Sequence, residues 1–246
     1  MFNFVFQVKI LPVDFPSIIL FEDNHLLIVN KPSGMPSQGD NTGDTPLVEF
    51  AKIYIKQKYN KPGDVFCGLI HRIDRPVSGI VILAKTSKAL ARMNEIFKER
   101  QVTKTYWAVV KTKPAQESAT LIHWLWRNTK INVTRAFENE RKDTQRAELH
   151  YQTLNIDGGY VLLEVKPVTG RTHQIRSQLS SIKCSIVGDV KYGFPEPNPD
   201  RSIHLHARTI RFMHPVKIEE MEVTAPVPNE SLWLKFESRM KTSLTK

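Results

Sequence analysis

The stretch over residues 68–85 constrains the fold of this chain more than any other part of the sequence. It places one carboxylate, Asp74, between two arginines, and it then bends at Pro76 and Gly79 before an apolar run over residues 80–84. A short apolar run bounded by turn residues is typical of a buried strand. The sequence therefore predicts a carboxylate on a tight loop at the start of a buried strand.

The arginines beside Asp74 allow two interpretations of this loop. Neighbouring cations favour the charged form of an acid, so the carboxylate would serve as a base or a nucleophile rather than as a proton donor. The same arrangement also fits a structural ion pair at a strand edge. The stretch by itself leaves both interpretations open.

Turn residues divide the rest of the chain into short elements. The 246 residues include 15 prolines and 11 glycines spread among apolar runs, which predicts many short strands rather than a helical bundle. We expect strands over 4–11, 17–21, 25–30, 80–84, 102–110, 120–126, 146–156, 160–166, 204–212 and 219–224. Helices are expected over 47–59, 88–100 and 231–240, and a further helix capped by Thr172 is expected to carry Ile175, Leu179 and Ile182.

The charge of the chain points to a polyanionic partner. Its formal net charge is +10, and Lys and Arg neutralise phosphates when a protein binds nucleic acid. Residues 127–146 are rich in Arg, Lys and Asn without a sustained apolar period, and we expect a solvated, mobile connection or hairpin that contacts an RNA or DNA backbone. Lys31 precedes a proline-bounded turn, which predicts a lysine held at a surface bend.

Other features limit the location and the chemistry. No apolar stretch approaches the roughly 20 residues of a membrane helix, and the start resembles a strand rather than a signal peptide. We therefore expect a cytoplasmic protein without membrane contact. No glycine-rich phosphate loop or dinucleotide motif is present, so no cofactor is expected.

Two further kinds of site are considered and disfavoured. Alternate histidines on a strand could share a metal ion, but the candidate ligands lie among arginines, which disfavour a cation. These candidates are His71, Asp74, His173, His204 and His206. Ser78 lacks the glycine-flanked turn of a serine hydrolase. What remains is a site without metal or cofactor, built on Asp74, Arg171 and Tyr106.

Two motifs resemble the signatures of the RluA-type RNA pseudouridine synthases. The first covers residues 71–79 and the second covers residues 170–176, and shorter matches at 31–32, 104–109, 188–193 and 206–215 follow in the family's order. The resemblance spans most of the chain and is closest to the short members without an N-terminal S4 domain. The chain departs from the family pattern at Ile73, Val77 and Gln178, where the family usually has Leu, Thr and His.

The resemblance implies a reaction and a role for each site residue. Members of this family isomerise uridine in tRNA or ribosomal RNA to pseudouridine without a cofactor. By similarity, Asp74 is the catalytic carboxylate, Arg171 pairs with it, and Tyr106 stacks on the target base. Whether Asp74 attacks the sugar or removes a proton to give a glycal stays open.

The resemblance also implies how RNA is held. The target uridine must be flipped out of its stack, and Arg72 resembles the residue that fills the vacated space. The expected RNA-contacting set, with Leu205 lining the base pocket, is Lys31, His71, Arg72, Arg75 and Leu205.

From the resemblance and the elements together, we expect one α/β (α+β) domain over residues 1–246, acting as a monomer. Its mixed, mainly antiparallel sheet would have flanking helices and an RNA-binding cleft between two half-sheets. One alternative is a catalytically silent RNA-binding or RNA-folding protein on the same fold. A glycosidase-like enzyme acting on free nucleosides is a weaker alternative, because its usual carboxylate pair is missing.

Overall fold

The computed structural model describes residues 14–40 and 42–244. The described residues form four α-helices: α1 (Leu47–Lys58), α2 (Ser87–Lys98), α3 (Gln174–Ser181) and α4 (Ser231–Leu244). The strands are β1 (Ile19–Glu22), β2 (Leu26–Lys31), β3 (Gly68–Leu69), β4 (Ser78–Ala84), β5 (Val102–Val110), β6 (Ser118–Asn128), β7 (Val133–Phe137), β8 (Gln145–Asp157), β9 (Tyr160–Pro167), β10 (Leu205–Met213) and β11 (Glu220–Thr224). The strand expected over 4–11 lies outside the described residues.

The described strands form one continuous sheet. Their order is β1-β2-β4-β10-β5-β9-β8-β6-β7, with β11 paired to β10 and β3 paired to β4. Strands β4 and β10 run parallel, and the other pairings between named strands of the described ranges are antiparallel. The predicted mixed, mainly antiparallel α/β fold is confirmed.

The parallel contact between β4 and β10 depends on Gly79. This glycine has a φ of +114°, and a Cβ atom there would lie 2.4 Å from the carbonyl oxygen of Ala207. Such a distance is far inside van der Waals contact, so only glycine fits. A hydrogen bond of 2.9 Å between Ser78 Oγ and His206 Nδ1 ties the same two strands together.

Two hydrophobic cores cover the opposite faces of the sheet around β5 and β9. The larger core joins β2, β4 and β8 to apolar residues of α1, α2 and α3, including Ala51, Met93 and Leu179. The smaller core is formed where Trp233 and Phe236 of α4 pack on the opposite face of β5 and β9. The sheet is therefore covered on both faces near β5, where the candidate site residue Tyr106 lies.

One local prediction is confirmed and another is wrong. Within residues 127–146, β7 pairs antiparallel with the end of β6 from Trp124 to Asn128, so the hairpin alternative is confirmed. The residue that precedes α3 is His173, in a left-handed conformation with a φ of 53°, and not the expected cap Thr172. Among the described residues, no helix is long and apolar enough to cross a membrane.

Candidate active site

Asp74 lies on the loop between β3 and β4, and this loop is held from both sides by backbone hydrogen bonds. On one side, the Gly34 N–H donates to the carbonyl oxygen of Arg75 at 2.8 Å. On the other side, the Ile203 N–H donates to the carbonyl oxygen of Pro76 at 3.1 Å. The segments before α1 and before β10 therefore fix the position of the carboxylate.

The carboxylate of Asp74 is bound by Arg176. Nη1 of Arg176 donates to Oδ2 of Asp74 at 3.0 Å, while Nε and Nη2 donate to the two carboxylate oxygens of Asp189 at 2.7 and 2.8 Å. Burial by itself lowers the pKa of Arg176, but the hydrogen bonds and charges of Asp189 and Asp74 raise it above its ordinary value. Arg176 is therefore a permanent cation that joins a buried aspartate to the carboxylate in the cavity.

The expected pairing of Arg171 with Asp74 was wrong. Arg171 precedes α3 and is exposed, and its Nε donates to the carbonyl oxygen of Arg146 at 3.4 Å. Arg176 lies in the first turn of α3, on a helix whose residues 174–179 are all buried. The second motif thus contains the correct side chain, but the helix directs Arg176 rather than Arg171 toward Asp74.

Lys31 and Arg75, both expected to contact RNA, are occupied elsewhere. Lys31 is fully buried, and its Nζ donates to the carbonyl oxygens of Pro32 (2.9 Å), Met35 (2.8 Å) and Arg75 (3.3 Å). Burial lowers its pKa to about 7, although the charge of Asp74 opposes this shift. The surface position predicted for Lys31 was therefore wrong, because the turn that follows folds back over its side chain.

Arg75 is directed away from the cavity toward the segment before α1. Its guanidinium is ion-paired with Asp44 and, at 3.5 Å, with Asp40, and it donates a hydrogen bond to Thr42 at 2.7 Å. Arg75 does not line the cavity beside Asp74. In the structure it braces the loop, and its expected contact with RNA stays a prediction.

Asp74 opens into a cavity of about 540 Å³. Tyr106 of β5 and Leu205 of β10 form part of its wall, as the sequence predicts for a base pocket. Burial, followed by the negative charge of Asp74, raises the pKa of Tyr106 above its ordinary value, so the phenol stays protonated at neutral pH. The cavity therefore presents a carboxylate, an aromatic ring and an aliphatic side chain together.

His71 and His173 are neutral side chains in the wall of the same cavity. His71 stacks on Phe97 with ring centroids 5.1 Å apart, and its Nε2 accepts a hydrogen bond of 3.2 Å from the Ile82 N–H. Burial and the charge of Lys104 lower the pKa of His71 to about 3. This ring supports the cavity wall, since one of its faces packs on Phe97 and one of its nitrogens accepts a backbone hydrogen bond.

His173 contacts Asp74 directly. Its Nε2 lies 3.6 Å from Oδ2 of Asp74, and its Nδ1 is 2.7 Å from the hydroxyl of Tyr192, which also accepts a hydrogen bond from the Thr134 N–H. Burial lowers the pKa of His173 to about 4. We infer that the Tyr192 hydroxyl donates to Nδ1, so that the neutral ring directs its Nε2 proton toward Asp74.

Positive charge dominates the lining of the cavity. Asp74 is the one carboxylate among the described lining residues, and six lysines and arginines surround it: Arg72, Lys98, Arg100, Lys104, Arg171 and Arg176. Arg72 is exposed at the mouth and, within the described chain, has no hydrogen bond or ion pair with other residues. The cavity therefore suits a ligand with several negative charges.

Lys104 was not among the residues predicted for the site. Its Nζ lies 6.0 Å from the centroid of the Phe97 ring, and no acid of the described residues pairs with it. Burial lowers its pKa. The available signal was its position two residues before Tyr106 on the same strand, which directs both side chains to one face of the sheet.

The histidines considered as metal ligands are engaged separately. Besides the contacts of His71 and His173, His204 contacts Glu230 at 3.1 Å and His206 contacts Ser78. Among the described residues, no three His, Cys, Asp or Glu side chains are grouped as metal ligands. The metal alternative therefore has no support in the geometry.

Of the three departures from the family pattern, Val77 and Gln178 lie in different places. Val77 lines the cavity, and its backbone N–H donates to the Asp74 carbonyl oxygen at 3.0 Å, which closes the turn without a side-chain hydroxyl. Gln178 lies outside the cavity lining, and its amide donates to the carbonyl oxygen of Leu121 at 3.1 Å. Neither departure removes a group that holds the Asp74 carboxylate.

A comparison with protein families matches residues 25–181 to the family described as RNA pseudouridylate synthase. This segment includes the Asp74 loop, Tyr106 and the Arg176 helix, so the match covers the described residues that line the cavity, with the exception of Leu205. It also covers more than half of the chain.

Similar proteins of known sequence and structure agree with this match. The ribosomal large subunit pseudouridine synthase C of Buchnera aphidicola is 30% identical over 236 residues, covering 88% of this chain and 69% of that protein. The synthase D of Zymomonas mobilis is 31% identical, covering 89% and 72%. The solved structure of human RNA pseudouridylate synthase domain containing 4 has the same fold, with a TM-score of 0.75, 24% identity and coverage of 92% and 94%. The chain therefore belongs to the RNA pseudouridine synthases, the enzymes that isomerise uridine in RNA, and its predicted place among the RluA-type members is confirmed.

Proposed function

We propose that this protein converts specific uridines of ribosomal RNA to pseudouridine and that Asp74 is its catalytic carboxylate. The observation that carries the proposal is the Asp74 carboxylate, held by Arg176 at 3.0 Å, inside a cavity lined by six cations. Ribosomal RNA is preferred to tRNA because the relatives described above are named ribosomal large subunit pseudouridine synthases.

The reaction needs a group that acts on the sugar or the base of one uridine. The bond between ribose C1′ and uracil N1 breaks, a bond between C1′ and C5 forms, the C5 proton leaves to solvent, and N1 gains a proton. Asp74 acts either as a nucleophile on C1′ or as a base that gives a glycal, and Arg176 keeps its carboxylate in place for either step. Tyr106, protonated at neutral pH, stacks on the base and can donate a hydrogen bond.

The uridine reaches Asp74 only after it leaves the RNA stack, which costs a few kcal/mol. Arg72, exposed at the cavity mouth, fills the vacated space. Lys104, Arg171 and the end of α2 contact phosphates, which position the RNA without reading its sequence. Because the described strands form one continuous sheet, we propose that residues 1–246 act as one domain. We also propose that this domain acts as a monomer.

Tritium release tests the catalytic role of Asp74. Ribosomal RNA and tRNA transcripts carrying 5-tritiated uridine are incubated with the wild-type protein and with Asp74→Asn, which keeps the shape of the side chain. We expect release from ribosomal RNA by the wild type and none by the variant, with RNA binding retained by both. Binding by the wild type without release from either RNA would instead support the silent RNA-binding alternative.

The flipping role of Arg72 has a separate test. Arg72→Ala should lower turnover on a uridine within a stem far more than it lowers RNA affinity, because the arginine acts after binding. Lys56→Gln, which removes an exposed charge on α1, is the matched control. Equal losses of turnover and affinity in Arg72→Ala would contradict the role.

A further inference from the structure

The ribbon formed by the end of β6 and by β7 carries an aromatic surface on the face of the sheet opposite the cavity. His123 and Leu125 of β6 are buried toward α3, where His123 lies 3.2 Å from the hydroxyl of Ser181. Because side chains alternate along a strand, Trp124 and Trp126 lie on the other face. Helix α3 also carries Arg176, so these tryptophans face away from Asp74.

Phe137 and Arg135 complete this surface, which we call the aromatic ribbon: Trp124, Trp126, Arg135 and Phe137. Trp124 pairs across the strands with Phe137, and Trp126 pairs with Arg135. The three aromatic rings are partly exposed, and among the described residues they belong to neither hydrophobic core. Aromatic residues that stabilise a fold are normally packed in a core. A cluster of aromatic side chains outside a core instead indicates an interaction surface.

The charge around the aromatic ribbon favours a polyanion. Residues 127–146 contain six lysines and arginines against three acidic residues. The guanidinium carbon of Arg141 lies 4.0 Å from the centre of the Phe137 ring, and Arg135 is exposed without an acidic partner among the described residues. Exposed aromatic rings interleaved with arginines are the surface on which proteins stack the bases of single-stranded nucleic acid.

The position of β7 connects this surface to the cavity. β7 is the last strand of the described sheet, so a chain leaving the cavity can pass over this edge to the opposite face. On the cavity side of the ribbon, Arg127 lies 3.5 Å from the hydroxyl of Thr172, beside Arg171 at the cavity mouth. Arg171, Arg127 and Arg135 thus form a basic path around the edge.

We propose that the aromatic ribbon binds a single-stranded segment of the RNA next to the target stem, with its bases stacked on Trp124, Trp126 and Phe137. This inference rests on the proposed function in one respect, namely that the bound RNA is the substrate of the enzyme. It adds a second RNA contact, outside the cavity and on the opposite face of the sheet.

Tryptophan fluorescence tests this contact with a short single-stranded uridine oligoribonucleotide as the probe. Of the four tryptophans, Trp107 and Trp233 are buried, and no tryptophan lines the cavity among the described residues. Quenching by the probe therefore reports on the aromatic ribbon. We expect the wild type and Asp74→Asn to be quenched alike, and absence of quenching would overturn the proposal.

Variants separate stacking from charge. Trp126→Ala should raise the dissociation constant of the probe about tenfold, whereas Ile122→Ala, an exposed aliphatic residue on the same face, should not change it. Arg135→Gln should lower the slope of log affinity against log salt by about 0.7, and Lys56→Gln should leave it unchanged. Unchanged affinity in both Trp126→Ala and Arg135→Gln would refute the contact.

Two further measurements distinguish an RNA contact from a dimer interface, and failure of this inference from failure of the proposed function. If the wild type sediments as a dimer and Trp126→Ala as a monomer, the aromatic ribbon is an interface between copies of this chain, and the proposal is wrong. Tritium release is measured on the same preparations. Release without any effect of Trp126→Ala on probe binding would refute this inference alone, whereas quenching without release would refute the proposed function alone.

Discussion

Arg176 binds two carboxylates that differ in exposure. This difference determines how removal of the Arg176 cation would affect stability. Asp189 is 1% exposed, whereas the side chain of Asp74 is 26% exposed. Removing the shared cation leaves Asp189 as an uncompensated buried charge, which is more costly than the net value of the ion pair. Arg176 therefore links the stability of the fold to the position of the candidate catalytic group.

We expect Arg176→Gln to lower the free energy of unfolding by about 3 kcal/mol and to abolish tritium release. Chemical denaturation and the release assay measure the two effects. Arg171→Gln is the matched control, because it removes an exposed guanidinium from the same motif and should leave stability unchanged. Equal destabilisation by both variants would contradict the assignment of Arg176.

Val77 offers a second test at the residue scale. Its side chain is buried and its backbone N–H closes the turn at Asp74. Val77→Thr, which restores the residue usual in the family, should lower stability by about 1 kcal/mol because it buries a hydroxyl. Turnover should change little, and a large gain in turnover would show that the family's hydroxyl positions Asp74.

At the scale of elements, the parallel pair β4–β10 brings two distant parts of the chain to the cavity. The turn before β4 carries Asp74, and β10 begins with Leu205 in the cavity wall. The strands approach closely at Gly79 and Ala207, where backbone atoms rather than flexible side chains would meet an added Cβ atom. This contact cannot relax without separating the strands.

Gly79→Ala should therefore destabilise the protein severely, because both the left-handed backbone and the contact with Ala207 oppose a side chain. Gly159→Ala is the matched control, since its φ of +78° is also positive but no atom lies within 4 Å of the added Cβ. Thermal unfolding of the two variants gives the comparison. Similar losses would show that backbone conformation alone, and not the close approach, makes Gly79 necessary.

At the scale of the whole molecule, three histidines, two buried and one half-buried, make stability depend on pH. The pKa of His71 is lowered to about 3, and the pKa values of His173 and His206 are lowered to about 4, mainly because of burial. In the unfolded chain these histidines titrate near 6.5. As pH falls below this value, only the unfolded state takes up the protons, so the folded state loses stability.

We expect the free energy of unfolding to fall between pH 6.5 and 5, by at most about 1.4 kcal/mol per pH unit for each histidine. Carboxylates enter this balance mainly near pH 4.5, the ordinary pKa of glutamate. Urea denaturation across this range measures the slope, which His206→Gln should reduce. A stability that stays constant down to pH 5 would contradict the neutral state of these rings.

Sequence periodicity predicted most strands and helices, because alternation and helical spacing depend on near neighbours. For residues 127–146 the sequence left a hairpin and a mobile connection as alternatives. The pairing of β7 depends on its neighbour β6 rather than on the composition of β7 itself. The resemblance to the family placed Asp74, Tyr106 and Leu205 at one candidate site, which agrees with the cavity that these residues line.

Only the tertiary structure decided how that site is held. The sequence determined the family, the fold class and the loop that carries Asp74, because these follow from motifs and local patterns. It did not determine that Arg176 rather than Arg171 binds Asp74, or that Lys31 is buried beneath its own turn. The direction of a long cationic side chain is set by the helix or loop packed around it, and that packing exists only once distant segments meet.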